Sequence, residues 1–133
     1  MKFGVCARHE VNSRIPSVPH INISICNPDQ DTLELNESNQ RKGALFLKFH
    51  DTEENYFDQK VITKEQAKKI LDFVNKHKDE VEVIMVNCEA GLSRSPGVAA
   101  ALSKILNGED EVFFKRFNLN RKVYRTILEA HYS

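Results

Sequence analysis

The sequence predicts an α/β domain with a central, mostly parallel sheet flanked by helices. Three observations predict it. Apolar runs of strand length alternate with helical patterns in the middle of the chain. Helical patterns alone follow at the C-terminal end. One strand also passes into a helix through a short loop of small and polar residues. The 133 residues suit one domain with one sizeable core, expected to span 1–133.

Each element has a local reason. Lys2 to Ala7 reads as a short strand, and Arg8 to His20, with Pro16 and Pro19, as loop. Ile21 to Ile25 alternates apolar with polar, the pattern of a half-buried strand, and Asn27-Pro28-Asp29 stops it. Gln30 to Arg41 is polar and reads as an exposed connection, Leu45 to Phe49 as the next strand, and Asp51 to Asp58 as an acidic loop. Thr63 and Gln66 form a capping box ahead of a helix to Lys76, whose Ala67, Ile70, Leu71 and Val74 share one face. Val81 to Val86 suits the centre of a sheet. Ser95 is expected to cap the following helix, with Pro96 in its first turn and Asn107-Gly108 at its end. Asp110 opens a short helix whose Phe113, Phe114 and Phe117 belong to the core. A last helix begins near Asn120 and buries Val123, Tyr124, Ile127 and Leu128.

Bulk properties exclude several classes. The net charge is +0, so no general affinity for nucleic acid or anionic membranes is expected. No apolar run reaches the roughly 20 residues of a membrane span, and Met1 to Val5 lacks the apolar stretch of a signal peptide. Cys6, Cys26 and Cys88 are too few and too scattered for a disulfide framework or a metal site, so no metal is expected. Cys6 and Cys26 read as small buried hydrophobes. A monomer in the reducing cytoplasm is the expected setting.

The chemistry lies in Cys88-Glu89-Ala90-Gly91-Leu92-Ser93-Arg94-Ser95, between the strand ending near Val86 and the helix beginning near Pro96. Backbone N–H groups of such a loop and the helix N-terminus attract an oxyanion, to which Arg94 adds a bidentate fork. Glu89, Ala90, Gly91, Leu92, Ser93 and Arg94 are the expected substrate-binding positions, with phosphate, sulfate or vanadate as fitting anions. Gly91 lets the backbone turn its N–H inward. The same field favours the thiolate of Cys88, and a thiolate facing a bound phosphate implies attack on phosphorus through a covalent intermediate.

This segment, with Asn87 before it, resembles the phosphate-binding signature of cysteine-based protein tyrosine phosphatases. It looks most like the dual-specificity branch, written His-Cys-x-Ala-Gly-x-Ser-Arg-Ser. The resemblance covers roughly Leu45 to the C-terminus, including the Asn120-Arg121-x-x-Tyr124 pattern. It implies a phosphatase-type fold and a cofactor-free phosphomonoester hydrolase acting on phosphoprotein, with phosphotyrosine as substrate and phosphoserine or phosphothreonine as the further candidates. Cys88 is then the nucleophile and Arg94 the phosphate clamp. Ser95 hydrogen-bonds the departing thiolate. Asp51, first after a strand, is the general acid, although His50, Glu53, Glu54 and Asp58 are neighbours able to do the same work. Asn87 stands where the family has histidine. Its amide can donate to a backbone carbonyl but brings no charge. Glu89 and Leu92 are not basic, which disfavours a polyphosphoinositide.

Two alternatives remain at this stage: a phosphate-binding module of the same fold with weak or no turnover, and another Cys-x₅-Arg enzyme such as an arsenate reductase, which needs a resolving thiol.

Overall fold

The computed structural model describes residues 1–133. Its sheet consists of β1 (Lys2–Ala7), β2 (His20–Cys26), β3 (Arg41–Lys48) and β4 (Val83–Cys88), in the order β1-β4-β2-β3. Every adjacent pair is parallel. The helices are α1 (Lys64–His77), α2 (Arg94–Asn107), α3 (Glu111–Arg116) and α4 (Arg121–Tyr132). A short 3₁₀ helix, Arg8–Ser13, follows β1. No helix is long and apolar enough to cross a membrane.

Strand alternation divides the interior. Ile21, Ile23 and Ile25 of β2 and Ile84 and Val86 of β4 enter the main core, where they meet Ile70 and Val74 of α1, Val98 and Leu102 of α2, and Val123 and Ile127 of α4. Cys6 and Met85 point to the other face, which Val11, Leu33 and Leu35 cover. The long helices thus lie on one side of the sheet, and the 3₁₀ helix and the connection after β2 lie on the other.

Local signals set several boundaries. The Thr63 hydroxyl accepts from Gln66 N at 3.1 Å while Gln66 Oε1 accepts from Thr63 N at 3.0 Å, so both halves of the capping box form. Gly108 closes α2 at φ 78°, a conformation glycine adopts without steric cost. The Asn120 side chain accepts from Val123 N at 3.0 Å and caps α4.

Three expectations need correction. All seven residues of β2 are buried, not half of them, because both sheet faces are covered. Its polar residues are accommodated rather than exposed; Asn22 Oδ1, for instance, accepts from Arg41 Nε at 2.8 Å. Strand β3 starts at Arg41 rather than Leu45, since its first half, Arg41 to Ala44, pairs with His20 to Asn22 of β2 although it lacks the apolar run that marks a strand in the sequence. Strand β4 continues to Cys88 because its pairing with β1 runs on to Ala7 opposite Cys88, beyond the apolar run that marks burial. That extension delivers the cysteine to the carboxyl end of a central strand.

His20 starts β2 fully buried, with Nδ1 donating to the Val18 carbonyl at 2.8 Å and Nε2 unpartnered. Burial pushes its pKa below the ordinary histidine value, and the Val18 hydrogen bond offsets this only in part. The unfolded chain therefore takes up this proton first as pH falls. The stabilising contribution is complete above histidine's ordinary pKa of about 6.5 and is lost as pH falls toward the lower folded value. Urea unfolding at pH 5 and pH 7.5 should show a loss at pH 5 that is smaller in His20→Asn; an equal loss in both proteins would contradict this reading.

Candidate active site

The site is built on the strand end of β4 and the N-terminus of α2. Cys88 is 2 % exposed, and its Sγ lies 3.1 Å from Ser95 Oγ and 3.4 Å from Ser95 N. Ser95 does not cap the helix, as the sequence suggested. The cap position is two residues earlier, at Ser93, and the Ser95 hydroxyl is turned to the thiol instead. Glu89, Ala90 and Leu92 form an exposed rim, while Cys88, Gly91, Arg94 and Ser95 form a buried floor.

Four segments hold this loop. Gly91 has φ 73° and sits against the end of β1, where an added Cβ would come within 2.6 Å of the Cys6 carbonyl carbon. Arg8 N donates to the Glu89 carbonyl at 3.1 Å. From the connection after β2, Gln30 Nε2 donates to Glu89 Oε2 at 3.1 Å and Asn27 Oδ1 accepts from Arg94 Nη1 at 2.7 Å. From the start of α4, Asn120 N donates to the Ser93 carbonyl at 3.0 Å. The fourth segment is the acidic loop after β3, where Ser93 Oγ donates to Asp51 Oδ1 at 2.8 Å.

Arg94 is 4 % exposed, and its Nη1 also donates to the Phe49 carbonyl at 2.8 Å. Its Nε is buried without a partner, and no carboxylate pairs with it. One side of the guanidinium is therefore anchored to neutral oxygens, while the Nε side keeps donors for an incoming anion.

The carboxylates of the acidic loop are distinguished by their partners. Asp51 Oδ1 takes Ser93 Oγ and also Asn120 Nδ2, the latter at 3.0 Å, and the Oδ2 atom has no protein partner. Glu53 Oε1 instead accepts from Arg121 N at 3.0 Å, at the start of α4. His50 Nδ1 accepts from Lys60 N at 2.8 Å, which closes its own loop. A cavity of about 340 Å³ opens beside Ser93, lined by Asp51, Glu53, Tyr56, Asn118 and Asn120 among others. Asn120 and Asn27 are the residues that sequence reasoning left outside the site. The helix-start pattern around Asn120 was visible, but its contact with Asp51 spans 69 residues and has no local signature.

Comparison with solved structures gives one consistent result. The human tyrosine phosphatase-like serine/threonine/tyrosine-interacting protein superposes with a TM-score of 0.67 at 15% identity, covering 98% of this chain and 91% of that one. PTPMT1 in complex with PI(5)P gives a TM-score of 0.61 at 17% identity, with 98% and 90% covered. The fold is that of the cysteine-based phosphatases. Human DUSP28 adds a TM-score of 0.67 at 9% identity, covering 98% and 91%. No protein-family model and no curated protein sequence matches the chain. The phosphatase-type fold thus extends over nearly the whole chain, including the residues before Leu45, where the sequence resemblance begins.

Asn87 does not act as the ordering donor its amide allowed. It is 2 % exposed, and both Nδ2 and Oδ1 are buried without a partner. Strand alternation turns it away from Cys88, onto the sheet face it shares with Cys6 and Met85. The loop is held by the contacts above rather than by this side chain. Asn87→Leu, of similar shape and without the desolvated amide, should raise stability by about 1 kcal/mol and leave phosphate binding unchanged. A loss of similar size in urea unfolding would mean that the amide has a buried partner.

Proposed function

We propose that this chain hydrolyses phosphomonoesters through a phosphocysteine at Cys88. The observation that carries the reading is the buried floor of the loop, where the Cys88 thiol lies against Ser95 and Arg94 keeps an unpartnered Nε, Ser95 and Arg94 both standing at the N-terminus of α2. Loop amides and Arg94 hold the phosphoryl oxygens and follow the charge into the transition state. Cys88 Sγ attacks phosphorus, the bond to the leaving oxygen breaks, and Asp51 protonates that oxygen. Water then attacks phosphorus and gives its proton to Asp51. The S–P bond breaks, and the Ser95 hydroxyl stabilises the departing thiolate. None of these steps uses a cofactor.

Phosphoprotein is the proposed substrate class, with phosphotyrosine and phosphoserine or phosphothreonine both admitted. The rim of Glu89, Ala90 and Leu92 is exposed, and its lack of basic side chains supports a phosphorylated side chain over an inositol polyphosphate. A cytoplasmic monomer consisting of one domain, 1–133, fits this reading. The arsenate reductase alternative loses ground, because Cys6 faces the far side of the sheet with Val11 and Met85, and burial pushes its thiol pKa up, away from the resolving thiolate that chemistry needs.

Cys88→Ser should lower turnover of an aryl phosphate by roughly 10³-fold or more. Asp51→Asn should lower kcat roughly 10²-fold on an alkyl phosphate and less on an aryl phosphate with a good leaving group, which needs little proton donation. Equal losses on both substrates would remove Asp51 as the acid, and unaltered turnover in Cys88→Ser would remove the mechanism.

A further inference from the structure

The anchor of Arg94 comes from a turn that the proposed chemistry does not use. Nη1 donates to Asn27 Oδ1 at 2.7 Å and to the Phe49 carbonyl at 2.8 Å, and two acceptors on one nitrogen fix both the position and the plane of the guanidinium. Asn27 directly follows β2, at the same carboxyl edge of the sheet as Cys88. Its own position is fixed by Gln30. Gln30 N donates to the Asn27 carbonyl at 3.0 Å, and Gln30 Oε1 accepts from Asn27 N at 2.7 Å. The other end of the Gln30 amide donates to Glu89 Oε2 at 3.1 Å. One four-residue turn therefore grips the phosphate loop near both ends, at Glu89 and at Arg94.

We propose that the turn Asn27–Gln30 is the positioning device of the phosphate clamp: Asn27 aims Arg94, and Gln30 ties Asn27 to the rim at Glu89. The proposal rests on the reading of residues 88–95 as a phosphate site. The chemistry of position 27 fits the task. An amide oxygen orients the guanidinium without cancelling its charge, so the full cation faces the anion. A carboxylate there would orient it equally well but form an ion pair that competes with phosphate. Asn27 and Gln30 are positioning residues, since neither has to touch the reacting atoms.

The test is calorimetric titration of inorganic phosphate into wild type, Asn27→Ala, Asn27→Asp and Gln30→Ala, with aryl phosphate kinetics and thermal unfolding alongside. Asn27→Ala should weaken phosphate binding about 10- to 100-fold and lower kcat more than it raises KM, as expected for a mis-aimed charge-assisted hydrogen bond. Asn27→Asp should keep the fold and still weaken phosphate, because its charge competes; a merely structural role would leave that variant at wild-type affinity. Gln30→Ala should lie between wild type and Asn27→Ala. Phosphate affinity at the wild-type level in Asn27→Ala, whatever its melting temperature, overturns the proposal. Should Asn27→Ala fail to fold, wild-type affinity in both Asn27→Asp and Gln30→Ala overturns it instead. Binding is read without turnover, so a wild type that binds phosphate but hydrolyses nothing removes the phosphatase reading while these comparisons still decide the role of the turn.

Discussion

The approach of Gly91 to the end of β1 is the constraint on which the remaining geometry depends. Residues 88–95 must turn through a tight arch so that a thiol, a guanidinium and the amides at the start of a helix face one point. The arch closes because Gly91, at φ 73°, lies against the Cys6–Ala7 peptide, where any side chain would collide with backbone. That peptide is in place because β1 pairs with β4 up to Ala7 and Cys88, so the strand carrying Cys88 and the strand supporting the arch end together. The sheet order then makes the site composite. The carboxyl end of β2 supplies Asn27, the loop after β3 supplies Asp51, and the start of α4 supplies Asn120.

Electrostatic cost is concentrated at Arg94. A buried guanidinium without a carboxylate partner is destabilising when the site is empty, because its desolvation is offset only by neutral carbonyl and amide oxygens. In the proposed phosphate site this uncancelled field is what Arg94 would offer to a dianion. The same economy is visible at Asp51, where two donors fix one carboxylate oxygen and the other is left without a protein partner. Rigid placement of charges before substrate arrives removes reorganisation from the chemical step.

Much of this was legible in the sequence where the determinants are contiguous. The capping box at Thr63 and Gln66, the glycine stop at Gly108 and the eight-residue loop from Cys88 to Ser95 each depend on neighbours within a few positions. The complete burial of β2 was not legible, because the second sheet face is covered partly by Leu33 and Leu35, two residues of a connection that is otherwise polar. The cap position was hidden because Ser93 and Ser95 are both good capping residues; the resemblance had already paired the Ser95 hydroxyl with Cys88, but the contact of Ser93 with Asp51 had no local signature. Asn27 read as a strand stop. Its contact with Arg94 crosses 67 residues, and nothing near it in the chain announces a partner.

The most direct measurement is rapid-quench mass spectrometry of the protein mixed with an excess of an aryl phosphate. A phosphocysteine mechanism places the mass of one phosphoryl group on the peptide containing Cys88, in a burst faster than steady-state turnover or accumulating in a variant slow to hydrolyse it. A phosphoryl group on any other residue, or turnover with unmodified Cys88 at every quench time in wild type and in that variant, would contradict it.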